Sequence, residues 1–353
     1  MPWSLEALLP CRQLAELSAE LNALSALHKA PALAVRLKEL LLGLAGKGMS
    51  GLAMTRLISA SNDRLSMRVI ELTARKHRLP PVAWCWLALG SEGRHEQTFI
   101  SDQDNGLIFN ATDAREADAL RQLFLPFAEE ANQHLAACGF TLCPGQIMAG
   151  NPAWCLSYDE WRERFIDWVR RPEPNALLNA SIFFDLRPLH GQLDLGEKLR
   201  TLLLALCSDT PSFLHLMAAN ALQAAVPLNF RGELAVEDGE VIELKKFGSR
   251  IFVDAARIFS LAAAEPAVHS AERLQAAGQA AGLGAGETLA INAAFSHILR
   301  LRLDQQMADL VAGRGDSHGP KLSALHELDR AILRESLKQA RRLQQRLKLN
   351  YVL

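Results

Sequence analysis

Charges break every hydrophobic stretch of this chain well before ~18 residues, so no membrane-spanning helix is expected. The N-terminus, MPWSLEALLPCRQ, has neither a basic leading segment nor a long apolar core, so no secretory leader is expected. Cysteine is sparse and unpatterned. Cys11, Cys85, Cys138, Cys143, Cys155 and Cys207 form no C-x-x-C pair and fit no zinc spacing, which points to reduced, buried thiols in a cytoplasmic protein. The ten histidines include no H-x-x-x-H pair. A basic excess is also missing. Lys plus Arg number 38 against 39 for Asp plus Glu, so nucleic acid held through its phosphates is not expected as a partner, nor is a membrane surface. No internal repeat or low-complexity tract interrupts the chain. What is present, 353 residues at 49% hydrophobic and 22% charged, describes a folded protein of two or three domains.

The hydrophobic pattern changes twice along the chain. Residues 1–79 carry leucines at helical spacing (Leu14, Leu17, Leu21 and Leu24; Leu33, Leu37, Leu40 and Leu44), and Ser50 is placed to cap a third helix. Pro80-Pro81 stops that pattern. Val82 to Leu89 is short, apolar and β-rich, as a strand buried on both faces would be. Leu107-Ile108-Phe109 forms the body of a second strand. Asp113 and Glu116 resemble a capping box at the head of a long helix running to Gly139. Gln146–Ala149 and Ser181–Leu186 (SIFFDL) read as further strands. From Gly191 helices return, through 196–208, 211–226, 250–264, 287–311 and 320–349. The expected layout is three parts: a helical segment over 1–79, an α/β domain over 80–190 and a helical domain over 191–353.

The chemistry concentrates in Leu87–Phe109, LALGSEGRHEQTFISDQDNGLIF. Gly90-Ser91 ends one strand and opens a turn. Ten residues later, Asp102-x-Asp104 stands at the mouth of the next strand. Alternate residues there point to one face, so the two carboxylates converge, a costly arrangement unless a cation lies between them. A hard, oxygen-seeking ion such as magnesium answers that need. Gly90 permits close backbone approach, Ser91 offers a hydroxyl to phosphate oxygens, and Arg94 offers a guanidinium fork. The plainer reading, that an Asp-x-Asp in a loop only caps or turns it, is weakened by the order of strand, Gly-Ser turn, fixed gap, Asp-x-Asp and strand.

The same stretch resembles the polymerase-β-type nucleotidyltransferase superfamily. Within it, GSEGRHEQTFISDQDNGLI is similar to the nucleotidyltransferases often fused to CBS or cyclic-nucleotide-binding domains, relatives of the uridylyltransferase that modifies the PII signalling protein. CPGQIMAGNPAW (143–154), SIFFDLRPLHG (181–191) and LKKFGSRIFVDAARIFSL (245–262) continue the likeness, the last resembling that family's helical substrate-binding domain. The resemblance implies an α+β fold: a polymerase-β-like domain with a mixed sheet, flanked by an N-terminal helical segment and a C-terminal helical bundle. It also implies transfer of a nucleoside monophosphate from a triphosphate, ATP or UTP, to an acceptor that is a regulatory protein in signal transduction or a small molecule. Two magnesium ions would be held by three carboxylates. Asp102 and Asp104 match the first two. Asp185 is the candidate for the third, expected on a later strand, with Asp194 as alternative; the plainer reading pairs Asp185 with Arg187 or Arg164.

Other positions divide more evenly. Glu96 either orients Arg94 or caps a helix. His95 is expected to be exposed. Gln97 and Thr98 line a nucleotide pocket or simply pack. Ser101 supports the Asp loop, and Gln103 points away from the aspartates. Lys245 and Lys246, with Arg250, Asp254 and Arg257, bind triphosphate or acceptor, or form a solvated helix start with an ordinary Asp–Arg pair. Trp154, Trp161 and Trp168, spaced by seven, read as a core stripe. A competing function is a catalytically silent nucleotide-binding regulatory module.

Overall fold

The computed structural model describes residues 12–235, 241–317 and 319–353; Cys11 of the cysteine set lies outside them. The chain divides into two units, Met1–Gly48, Thr55–Asp167 and Ile182–Leu203 in one, and Met49–Met54, Trp168–Ser181 and Leu204–Leu353 in the other.

The first unit begins with helices. α1 (Arg12–Ala23) buries Leu14, Leu17 and Leu21, and α2 (Ala30–Ala45), with Pro31 in its first turn, buries Ala34, Leu37 and Leu41. These are the helical repeats that the leucine spacing predicts. α3 (Gly51–Ala74) starts where Ser50 Oγ accepts from the Ala53 N–H at 3.2 Å. Arg68 of α3 reaches back to the Leu24 carbonyl and so fixes the end of α1.

A four-stranded mixed sheet follows, ordered β3-β2-β1-β4: β1 (Trp84–Ala88), β2 (Asn105–Phe109), β3 (Cys155–Ser157) and β4 (Arg187–Gly191). β1 pairs antiparallel with β2 and β4, and β2 pairs parallel with β3. Pro188 lies on the edge strand β4 beside a register break at Trp86/Leu87, a place where its missing N–H is tolerated. On one face, Trp84 and Trp86 contact Phe127 of α5 (Ala114–Ala137), and Phe109 stacks on Phe124. On the other, Gly106 leaves room for Trp161 of α6 (Tyr158–Arg170), whose indole N–H donates to the Leu107 carbonyl. Gly196 of α8 (Leu193–Ser208) fits against Leu87 on that same face. Both faces are therefore covered, as an unbroken apolar strand requires.

The second unit is helical: α9 (Pro211–Ala221), α10 (Arg250–Ala262), α11 (Ser270–Ala277), α12 (Ala285–Val311) and α13 (Glu327–Tyr351). Its core includes Phe213, Leu333, Leu337 and Leu343, with Phe252 stacked on Phe295 at 5.4 Å. The fold is thus α+β: mostly helical around one small mixed sheet, with helical segments flanking it. Among the described residues, no single helix is long and apolar enough to cross a membrane.

Two expected strands are not strands. Ser181–Phe183 end α7 (Pro174–Phe183), and β4 starts only at Arg187. Short apolar runs suit either state, and here Phe183 and Phe184 are buried against the aromatic rings of Trp161 and Phe165 rather than in the sheet. Gln146–Ala149 is irregular, with Gln146 at φ +56°; it meets the sheet at Asn105, whose N–H donates to the Ile147 carbonyl and whose Oδ1 accepts from the Ala149 N–H.

Candidate active site

β1 runs directly into α4 (Gly90–Gly93), a single helical turn. Gly90 has φ +52°, a region that disfavours any side chain, and a Cβ there would lie 2.7 Å from Asp104 Oδ2. The glycine is needed for the bend, and its bare α-carbon is what lets the Asp104 carboxylate lie against the turn. The Leu89 N–H donates to the Asp104 carbonyl at 2.9 Å, which ties the end of β1 to the loop before β2. Gly93 is equally constrained, because a Cβ would collide with the Asp185 carbonyl at 1.8 Å.

Asp102 and Asp104 are half-buried, whereas Gln103 between them is buried on the opposite side, as alternation predicts. Gln103 Nε2 donates to the carbonyls of Asn132 and Phe140, and its Oε1 accepts from Asn132 Nδ2 at 2.8 Å. Asn105 Oδ1 accepts from Asn132 Nδ2 and from the Ala149 N–H. The Asp102 backbone bridges to Thr141, and the Gln103 N–H donates to the Thr141 carbonyl. Three buried amides thus clamp the aspartate loop to α5. That network was not visible in the sequence beyond the placement of Gln103; the signal for it is two amides, Gln103 and Asn105, alternating with the aspartates. Ser101 supports the loop from below, since its Oγ accepts from the Thr98 N–H and donates to the Thr98 carbonyl.

Arg94 follows α4 and is held twice. Its Nε donates to Glu96 Oε2 at 2.8 Å and its Nη1 to Asp185 Oδ2 at 2.6 Å, with both carboxylates buried. Glu96 therefore orients Arg94. Asp185 is found in the turn between α7 and β4, fully buried, and its partner is Arg94; Arg187 pairs instead with Asp63 at 2.8 Å, and Arg164 donates to the Ala153 carbonyl. Asp194 stands exposed in the first turn of α8. Among the described residues, no group of three or more His, Cys, Asp or Glu side chains is arranged to hold a metal ion. The structure does bring Asp104 against Gly90, with Ser91 next in α4 and Asp102 two residues before Asp104, and it joins Arg94 to Asp185.

Behind α4 lies a charged layer that sequence reading missed. Glu92 is buried; burial and then the nearby Asp63 push its carboxyl up to about 8, against the pull of Arg187 and with a further push from Asp104. His95 is half-buried rather than exposed, at φ +57°, with Nδ1 3.5 Å from Asp63; burial and then Arg187 push its imidazole down to about 4. Gln97 is buried and packs, donating its N–H to Ser59 Oγ and accepting from Asn62. Burial also pushes the Cys143 thiol up, beside the Asp104 carboxylate.

In the second unit, Lys245 and Lys246 are exposed on a π-helical turn, Lys245–Ser249, that leads into α10. Lys246 Nζ lies 4.8 Å from the Phe247 ring centre. Asp254 accepts from Arg250 at 3.2 Å and from Arg257 at 2.7 Å; Asp254 and Arg257 are buried, so this pair is not part of a solvated helix start.

Two family models match. One, described as "Putative nucleotidyltransferase DUF294", covers residues 35–175, and the second, "Putative nucleotidyltransferase substrate binding domain", covers 211–351. The first contains Gly90, Ser91, Arg94, Asp102 and Asp104, the second contains Lys245 and Lys246, and Asp185 lies between them. No curated protein matches the chain. With the Gly-Ser turn laid against Asp104 and both halves of the chain matched in order, the chain belongs to this nucleotidyltransferase family, with its C-terminal substrate-binding domain.

Proposed function

We propose that the chain moves a nucleoside monophosphate from a magnesium-bound triphosphate, ATP or UTP, to an acceptor that is a regulatory protein or a small molecule. The observation that carries this reading is the placement of the Asp104 carboxylate against the bare α-carbon of Gly90, with Asp102 two residues earlier and, like Asp104, half-buried. Two hard oxygen donors suit a divalent ion whose other positions are filled by water and phosphate oxygens. Asp102 and Asp104 are the residues that would hold it. Bound there, magnesium would neutralise triphosphate charge and sharpen the attacking group. Gly90 lets the Asp104 carboxylate lie against the turn, and Ser91 beside it presents its hydroxyl to phosphate oxygens. Arg94, aimed by Glu96 and Asp185, supplies positive charge beside them. On this geometry Asp185 acts by positioning Arg94 rather than as a third metal ligand. Lys245 and Lys246 bind the triphosphate or the acceptor.

The engagement of Asp185 by Arg94 is also the observation that favours a second reading, a nucleotide-binding regulatory module without turnover. Incubation with magnesium, each α-labelled ribonucleoside triphosphate and host extract separates the two. Label carried to one extract component by the wild type and not by an Asp102→Asn/Asp104→Asn variant supports transfer; nucleotide binding with no label moved supports the module.

A further inference from the structure

We propose that a groove in the first unit, between α2, α3 and the Thr98–Ser101 loop, binds a small organic carboxylate with a short apolar body. The groove is open to solvent on one side and its void is about 60 Å³, room for a few water-sized groups and so for a small ligand only. Leu37, Leu41 and Ile58 line one side, and Phe99 and Phe140 the other. Lys38 stands among them as the one cation in the lining. It is half-buried, and among the described residues it has no carboxylate or hydrogen-bond partner, whereas Arg36, two residues earlier, is engaged by Glu20. Burial alone pushes the Lys38 ammonium down, the mark of a charge taken from water without compensation. An anion supplied from outside would restore that balance while its hydrocarbon part covers the leucines.

The neighbouring polar groups narrow the anion. Asn62 Nδ2 donates one N–H to Gln97, and Thr98 and Ser101 satisfy one another, so the Lys38 ammonium is the one charged group in the lining left to recognise the anion. A monocarboxylate matches one ammonium; phosphate sites draw on several donors or a guanidinium fork. The groove also abuts the catalytic loop. Ser101 in its wall immediately precedes Asp102, and Phe140 precedes Thr141, whose backbone bridges to Asp102. A bound carboxylate would therefore shift the affinity for magnesium–nucleotide. That coupling rests on the function proposed above; the binding does not.

The full chain, titrated with 3-methylbutanoate and hexanoate by ligand-observed NMR, tests the site. The uncharged 3-methylbutanamide and inorganic phosphate serve as comparisons. Saturable carboxylate binding is expected, weaker by about tenfold or more for the amide and for Lys38→Met, and retained in Lys38→Arg. Melting temperatures check that the variants fold; the carboxylate–amide comparison on the wild type stands without them. Absence of saturable carboxylate binding, equal binding of the amide, tighter binding of phosphate, or a folded Lys38→Met that binds as the wild type does would each overturn the proposal.

Discussion

At the scale of single residues, Gly90 is the most constrained position of the site. Replacing it with alanine puts a Cβ into a left-handed conformation and within 2.7 Å of Asp104 Oδ2. The strain is on the order of 1–2 kcal/mol, so Gly90→Ala should fold, yet the displaced Asp104 should lower transfer by at least about tenfold. Far-ultraviolet circular dichroism alongside initial rates checks both halves of that statement. Asp185 allows a sharper test. As the anchor of Arg94, its Asn variant should raise the KM for triphosphate and leave the magnesium concentration for half-activity unchanged. A variant of Asp102 or Asp104 should instead raise the magnesium requirement. A magnesium shift in Asp185→Asn would make it a metal ligand after all. The motif residues were legible because their chemistry demands a fixed spacing. The partner of Arg94 was not, since 91 residues separate it from Asp185 and only the fold joins them.

At the scale of elements, the site depends on how α4, α5 and the aspartate loop are fastened together. Asn132 of α5 serves both Gln103 and Asn105 in a buried setting. Asn132→Ala strands these groups, and each unsatisfied one costs about 1–3 kcal/mol. Urea unfolding should show a loss of that order, with reduced transfer because the loop loosens. The buried Glu92 of α4 gives a pH signature. Its carboxyl titrates near 8 in the fold against 4.5 as the ordinary value, so the proton is bound more tightly when folded. The associated stability is fully present below about 4.5 and is lost as pH rises to about 8. Glu92→Gln, which cannot ionise, should gain stability relative to the wild type across that window, measured by urea unfolding without magnesium at pH 5 and pH 8. A constant difference would contradict the buried, protonated carboxyl. Long periodic helices and the apolar β1 could be read from sequence, because periodicity over many residues leaves little choice. SIFFDL could not, because a six-residue apolar run fits the end of a helix as well as a strand, and burial of Phe183 and Phe184 decided it.

At the scale of the whole molecule, the sequence shows its order plainly: helices, one small sheet carrying the carboxylates, then helices. The two family models follow that order, the first across β1, β2 and β3 and the second across the C-terminal helices, with β4 between them. Lys245 and Lys246 belong to the second unit, so a Lys245→Ala/Lys246→Ala variant should leave that unit folded, both side chains being exposed, while weakening productive binding of triphosphate or acceptor. Steady-state kinetics with each substrate varied in turn tells which one they hold. The central claim, that Asp102 and Asp104 form a metal–nucleotide site, is tested most directly by equilibrium binding. The wild type and Asp102→Asn/Asp104→Asn are each titrated with ATP and with UTP, with and without magnesium. The account predicts magnesium-dependent binding of one of the two nucleotides by the wild type and its loss in the folded variant. Wild-type protein that binds neither nucleotide in the presence of magnesium, or a folded variant that binds as tightly as the wild type, would contradict it.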